Sequence, residues 1–385
     1  MKDKYILVSL TFFILRDIMF KIIRLIKSNL ILFIAFCLAL ITSFIIPPDS
    51  EYIGYFDLKT LACLFCTLAV ICALKNIRFF TVLARAIVHA TGNLRSAVLA
   101  LVFITFFGSM LIANDMALIT FLPLGYYVLS STDKKEHMAF VFVMQNIAAN
   151  LGGMLTPFGN PQNLYLYSYF KIPTGEFLSI MLPPFLAATV LIVICCLFVK
   201  PEKIDLSEKE CYKLPKTRTA LYLILFAVSI SVVFHAIPYL LGTAIVLFSL
   251  IFLDRKALLR VDYGLLLTFA CFFIFAGNLA RVELVHGVVS SLLEKSTLLV
   301  SILSCQVISN VPSAILLSRF TADYQSLLLG VNIGGTGTLI ASLASLITFR
   351  EYTQRNPYKT GHYMKVFTLL NLLFLVVLTL VALIF

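Results

Sequence analysis

The chain has 385 residues, of which 61% are apolar and only 13% charged, and its mean hydropathy is +1.00. A soluble domain is nearer half apolar and a quarter charged, so a soluble globular enzyme is excluded and a polytopic membrane protein is indicated. The net charge of +11 comes without any basic stripe interleaved with aromatics, so it points to loops that orient membrane spans and excludes nucleic acid as a partner.

Residues 5–15 are apolar but too few to cross a bilayer, and no small-residue cleavage site follows them. With Lys21, Arg24 and Lys27 behind it, this stretch is expected to lie in the interface on the cytoplasmic side. Spans are expected at 30–46 and 58–74, followed by a surface helix over 76–91 carrying Arg78, Arg85 and His89. The long apolar stretch 94–129 has Asn114-Asp115 at its centre, a pattern that a re-entrant hairpin with its tip at that point explains. Further spans are expected at 138–169 (broken over 152–163), 177–199, 220–234, 239–253 and 263–279. A second, shorter hairpin is expected over 298–320 with Ser309-Asn310-Val311-Pro312 at its tip, then spans at 326–347 and 363–385, giving nine crossings. The expected fold class is an all-α polytopic membrane protein of inverted repeats, with two re-entrant hairpins and two broken transmembrane helices.

With the N-terminus inside, the cytoplasmic segments collect 25 of the 30 lysines and arginines, as the positive-inside rule requires. The segmentation expected from this is a cytoplasmic or interfacial segment 1–28, a first repeat 29–199, a loop and linking span 200–237, and a second, inverted repeat 238–385. An odd linking span turns the second repeat over. Cys63 and Cys66 form a C-x-x-C within one helical run and read as packing residues, and Cys211 is expected to be the one cysteine in a clear loop.

The segment Asn150-Leu151-Gly152-Gly153-Met154-Leu155-Thr156 returns near the other end of the chain as Asn332-Ile333-Gly334-Gly335-Thr336-Gly337-Thr338, with Asn, Gly, Gly and Thr at identical spacing. Glycine pairs with polar neighbours break helices, and lipid offers no partners for the freed backbone groups. Such breaks persist where they line a cavity, and a matched pair in two halves marks the binding site of a secondary transporter. After the first break, Thr156-Pro157-Phe158-Gly159-Asn160-Pro161-Gln162-Asn163 removes backbone donors and leaves carbonyls suited to a small cation. The second break continues with hydroxyls, Thr336, Thr338 and Ser342, and without proline. A kinked packing helix is the structural alternative for each break.

Asp115 is the acidic residue placed at membrane depth, where a carboxylate is costly and faces a cavity or a partner. It is a candidate Na⁺ ligand, proton carrier, or partner of a basic residue such as Arg319. The candidate binding residues are Asn114, Asp115, Thr156, Pro157, Gly159, Asn160, Asn163, Ser309, Asn310, Gly335, Thr336, Thr338 and Ser342, with Asn114, Asp115, Asn160 and Asn310 as candidate Na⁺ ligands. No catalytic residue and no cofactor is expected beyond a coupling Na⁺ or H⁺. No Ser/His pair or His-x-x-x-His supports the distant alternative of an intramembrane enzyme.

The runs Ala113-Asn114-Asp115, Gly152-Gly153…Asn163, Ser309-Asn310-Val311-Pro312 and Gly334-Gly335…Thr338 resemble the ion transporter superfamily, from about residue 58 onward. Its branches include citrate transporters, dicarboxylate/sodium symporters, arsenite permeases and NhaD-type sodium/proton antiporters. The resemblance implies one site built from hairpin tips and broken helices, and a homodimer as a further partner state. Dicarboxylate symporters carry Ser-Asn-Thr at both tips, whereas the tips here look closer to the arsenite permease and sodium/proton antiporter branch. The expected function is secondary active transport of a small anion across the inner or plasma membrane, coupled to Na⁺ or H⁺ by alternating access. A Na⁺/H⁺ antiporter or an arsenite-type efflux permease is the alternative.

Overall fold

The computed structural model describes residues 30–204 and 213–384, and the expected interfacial segment 5–15 and Cys211 lie outside them. The described residues form helices joined by turns, with one isolated bridge between Asn93 and Lys203. Eight of these helices are long and apolar enough to cross a membrane. The chain is thus an all-helical, multi-span membrane protein.

Helix starts are written locally. Asp57, Asn93, Asp262 and Asp323 each accept a hydrogen bond from the backbone N–H three residues on, meeting one of the donors that a helix leaves open. Asp57 and Asp262 open the helices Leu58–Asn76 and Tyr263–Ala280 with the same cap.

Compactness divides the chain along other lines than the sequence halves. A smaller unit joins the described residues up to Phe56 with Asp262–Val282; a larger one holds Asp57–Val261 and Glu283–Phe385. In the smaller unit, Leu30–Ile45 packs along Tyr263–Ala280. Asn278 Nδ2 donates to Tyr52 Oη (2.9 Å), and Arg281 binds Asp49 (2.7 Å) and Tyr55 (3.0 Å). The Arg281 guanidinium holds the Asp49 carboxyl below the usual carboxylate range. The larger unit makes the reciprocal pairing, Leu58–Asn76 against Tyr239–Leu253, with the linking helix Lys216–Val233 beside them.

The larger unit is built around Met138–Gly152, every residue of which except Phe140 is buried. Against it lie Leu94–Ile112 and Asn114–Ser131, two helices joined through the single residue Ala113 and packed along one another. Glu283–Ile308 and Asn310–Leu317 meet in the same way through Ser309. Glu283–Ile308 extends well before the expected start at 298, and its backbone leaves helical geometry at Ser296 (φ −168°, ψ 99°). The earlier portion presents Leu284, Val288 and Leu292 outward at helical spacing, so an apolar stripe continues through a stretch whose Glu294 and Lys295 mask it in the sequence.

The eight long helices and the nine expected crossings differ for stated reasons. Tyr239–Leu253 is 15 residues long, short of the roughly 20 that span a hydrocarbon core, and of the first expected span the described residues form the helix Leu30–Ile45. The second broken span is split into Tyr324–Ile333 and Leu343–Arg355, while Leu94–Ile112 and Glu283–Ile308 are hairpin arms long enough to be counted.

Contacts sort the loops of the larger unit into two ends. At one end Arg95 Nε donates to the Val199 carbonyl (2.7 Å), Lys134 pairs with Glu202, Arg355 stacks over Tyr126 (3.8 Å) and Asn356 reaches Met138 (3.1 Å). At the other, Lys59 meets His235 (3.0 Å) and Glu176 accepts from Tyr324 (2.6 Å). The two broken segments therefore run in opposite directions, one from Met138 to Tyr169 and the other from Tyr324 to Arg355. The first hairpin has its base at the basic end, where the Leu94 N–H donates to the Glu202 carbonyl (2.8 Å). The base of the second lies at the other end, where Ser318 bonds Tyr165 (2.8 Å) and Arg319 stacks on Tyr169 (5.2 Å).

Candidate functional site

Each hairpin reverses on one residue with positive φ: Ala113 (φ 61°, ψ 149°) and Ser309 (φ 79°, ψ 157°). This region is nearly reserved for glycine and costs about 1–3 kcal/mol for a residue with a Cβ. The asparagine that follows holds the turn. Asn114 Oδ1 accepts from the Asp115 N–H and Asn310 Oδ1 from the Val311 N–H, both at 2.9 Å. Two tips in different halves of the chain thus restart their helices with one device.

The breaks share a register too. The first helix halves end at Gly152 and Ile333, and the second halves restart after Asn160 (φ −137°, ψ 143°) and Ser342 (φ −148°, ψ 149°). Asn160 and Ser342 are separated along the chain by the same interval as Asn150 and Asn332, so the restart points belong to the repeat. Pro161 follows Asn160 in the first turn, where its missing N–H costs nothing. Gly152 is required because a Cβ there would collide with the Phe106 carbonyl, and at Gly334 one would meet the Cys305 side chain. Thr156 Oγ1 donates to the Met110 carbonyl (2.8 Å) and Thr338 Oγ1 to the Gln306 carbonyl (3.1 Å). Met110 and Gln306 stand at the same distance before their tip asparagines, so each break is tied to its own hairpin in the same way.

The freed carbonyls are largely taken up by side-chain amides, which corrects the expectation that they stand open to a cation. Asn163 Nδ2 is shared among the Gly153 (3.2 Å), Met154 (3.1 Å) and Thr156 (3.3 Å) carbonyls. Gln306 Nε2 reaches Gly334 (2.9 Å) and Thr336 (3.1 Å), while its Oε1 accepts from the Thr338 N–H (2.8 Å). Buried polar groups without partners are costly, and these two amides satisfy the carbonyls of both breaks between them.

A chain of amides links the breaks. Asn114 Nδ2 donates to Asn150 Oδ1 (3.1 Å), Asn150 Nδ2 to Ser342 Oγ (3.1 Å), and Asn160 Nδ2 to the Asn150 carbonyl (3.2 Å) and Asn332 Oδ1 (3.4 Å). Asn332 Nδ2 closes on Asn163 Oδ1 (2.6 Å), and Asn146 Nδ2 bonds Ser345 Oγ (3.2 Å). The contacts Asn150–Ser342 and Asn332–Asn160 exchange the two halves of the motif. The Asn310 N–H donates to the Ala341 carbonyl (2.9 Å), which brings the second tip to the same place. Four helix N-termini, at Asn114, Pro161, Asn310 and Leu343, converge on this network, which contains no lysine or arginine. Asn146 Oδ1, Asn160 Oδ1 and Gln162 Oε1 are buried oxygens with no hydrogen-bond donor. Neutral amide oxygens are of the ligand type that hard cations take, and no contact joins these three into one cluster.

Of the residues expected from the sequence, Asn114, Asn160, Asn163 and Ser342 meet in the network. Thr156 and Thr338 tie breaks to hairpins instead, and Thr338 is exposed. The Thr336 hydroxyl donates back to the Ile333 carbonyl (2.7 Å). Pro157 and Gly159 line the extended connection, where Gly159 leaves room for the Gly153 carbonyl. Asn310, Ser309 and Gly335 gather at the second break: Ser309 Oγ lies 3.3 Å from the Ala341 carbonyl, and a Cβ on Gly335 would sit 3.1 Å from Asn310 Nδ2. The four candidate Na⁺ ligands therefore do not form one cluster through hydrogen bonds; Asn114 and Asn160 meet at Asn150, and Asp115 is half-buried beside Asn114. Asn146, Asn150, Asn332, Ser345 and Gln306 were missed as site residues. Asn150 and Asn332 were visible as the first letters of the repeated motif, and Ser345 stands to Asn163 in that repeat as Asn332 stands to Asn150.

The family model for the citrate transporter matches residues 12–326. The chain is 29% identical over 357 residues to an uncharacterized transporter of Methanocaldococcus jannaschii, covering 92% of this chain and 97% of that one. It is 30% identical over 291 residues to the inner membrane protein YbiR of Escherichia coli (74% and 77% covered). A shorter match, 32% over 144 residues, joins it to the silicon efflux transporter LSI3 of Oryza sativa subsp. japonica (37% and 29% covered). With the family model spanning most of its length, the chain belongs to the citrate transporter family.

Proposed function

We propose that the protein is a secondary active transporter that carries a small anion together with Na⁺ or H⁺ by alternating access. The observation that carries this reading is the convergence of four helix N-termini on a network free of lysine and arginine. Helix N-termini present partial positive charge and open N–H groups to an anion. The helix ends at Gly152 and Ile333, with the buried Asn146, Asn160 and Gln162 oxygens, supply the complementary ground for a cation. A di- or tricarboxylate is poorly matched, because Asp115 is the charged residue of the first tip and repels it.

On this reading the two hairpins are re-entrant, the halves are inverted repeats, and the basic end of the larger unit faces the cytoplasm together with the N-terminus. Opposed hairpins meeting at two broken helices suit a site opened from one side at a time. A cation/proton antiporter is the second reading, favoured by the half-buried Asp115 at a tip. Uptake into proteoliposomes under separately imposed Na⁺ and pH gradients tests the choice. Accumulation of phosphate or another small oxyanion driven by either gradient supports co-transport. Cation flux that is indifferent to every oxyanion offered supports the antiporter.

A further inference from the structure

A second candidate site lies at the basic end, away from the amide network. A cavity of about 230 Å³ is lined by Lys75, Thr81, Arg85, Thr120, Pro123 and Tyr127, among others. Its walls come from the end of Leu58–Asn76, from the short helix Phe79–His89 and from the second arm of the first hairpin. Lys75 is half-buried, and among the described residues neither it nor Arg85 makes an ion pair. Arg85 makes a face contact with Tyr127 (5.8 Å). Two cations thus border an otherwise mostly apolar hollow with no carboxylate among its lining residues. An unpaired ammonium that is partly removed from water is stabilised by an anion.

The helix carrying Arg85 also says where the cavity opens. Phe80, Ala84 and Val88 are its buried stripe, while Leu83 and Ile87 stay exposed beside Arg85. An amphipathic helix with apolar and basic residues both outward lies in the headgroup region of a bilayer. Apolar lining, two cations and headgroup depth together match an amphiphile with a phosphate at its head.

We infer that this cavity binds the phosphate and upper acyl chains of an anionic phospholipid, with Lys75 and Arg85 as its cationic ligands. Basic pockets between spans at a membrane face are suited to such headgroups. Because Ile119, Thr120, Pro123, Leu124 and Tyr127 belong to the hairpin arm that begins at Asn114, a bound lipid steadies the element that carries the first tip.

The test uses the purified, delipidated full chain. Native mass spectrometry and thermal melting are followed while phosphatidylglycerol, phosphatidylcholine or inorganic phosphate is added back. Retention of phosphatidylglycerol over phosphatidylcholine with a raised melting temperature is expected. The Lys75→Gln/Arg85→Gln variant should lose roughly thirtyfold in that preference, the effect of two basic side chains near an anionic headgroup. Lys216→Gln/Arg218→Gln, which removes two cations elsewhere, should keep it. If the double variant does not fold, Arg85→Gln alone, on an exposed side chain, is expected to lose roughly a fivefold part of the preference. A variant that still selects phosphatidylglycerol as the native chain does overturns the assignment. Stabilisation by inorganic phosphate without any by phosphatidylglycerol overturns it too, in favour of a soluble anion.

Discussion

Single side chains decide what each polar group of the site is free to do. Asn160 donates to the Asn150 carbonyl and to Asn332, while its oxygen is buried without a donor. Asn160→Ala should therefore raise the Na⁺ or H⁺ concentration needed for half-maximal transport by about tenfold or more, as loss of a charge-assisted contact worth about 1.5–3 kcal/mol does. Uptake measured against ion concentration checks this; full activity with unchanged ion dependence removes Asn160 from the site. Asp115 supplies the complementary experiment. Asp115→Asn keeps the size and loses the charge, and is expected to abolish gradient-driven accumulation while leaving exchange of substrate across the membrane. A purely structural Asp115 predicts instead a lower melting temperature with coupling intact, so uptake, exchange and melting are measured on one preparation.

At the scale of elements, each break is held by a side-chain amide, the first by Asn163 of its own segment and the second by one from another element. Gln306 belongs to the second hairpin yet clamps the Gly334 and Thr336 carbonyls. Gln306→Leu leaves those acceptors unmet and should cost about 1–3 kcal/mol of stability. The same change loosens the tie between the hairpin and Thr338, so transport should fall by more than the folded fraction does; equal losses would make Gln306 a purely structural residue. At the basic end the Lys134–Glu202 pair joins the turn after the first hairpin to the segment after Thr174–Leu197. Lys134 holds the Glu202 carboxyl below its ordinary range, and Glu202 raises the Lys134 ammonium. A carboxyl lowered in the folded state contributes stability that is complete above its unfolded value, about 4.3, and is lost as pH falls through the folded one. Both side chains are partly exposed, so the contribution is small. Glu202→Gln should lower the melting temperature slightly at pH 7, and the difference should shrink steadily as pH falls below about 4.3; a gap of unchanged size throughout acid would rule the pair out as its cause.

For the whole molecule, orientation follows from charge. The loops at the basic end of the larger unit are those expected to be cytoplasmic. Cysteines introduced at Lys213 and Gln354 in a background without cysteine should resist an impermeant thiol reagent in intact cells and react after permeabilisation. Labelling of either in intact cells reverses the proposed topology.

Composition and hydropathy alone made this a membrane protein, because a bilayer admits backbone only as closed hydrogen-bonded elements of sufficient length. The Asn-x-Gly-Gly repeat marked both breaks, since glycine and proline act on the chain within a few residues of themselves, and the polar pairs at 114 and 309 marked both tips for the same reason. What was not legible is how distant groups satisfy one another. Nothing local distinguishes Asn163, which closes off three carbonyls, from Asn160, whose oxygen stays open. Gln306 reads as one polar residue in an apolar run, and Asn146 as another, until the fold brings them against Gly334 and Ser345. The pairing of Leu30–Ile45 with Tyr263–Ala280, across the two halves, was equally hidden. An apolar stripe records that it must be buried and carries no record of its partner, so tertiary packing alone decides which helix covers it.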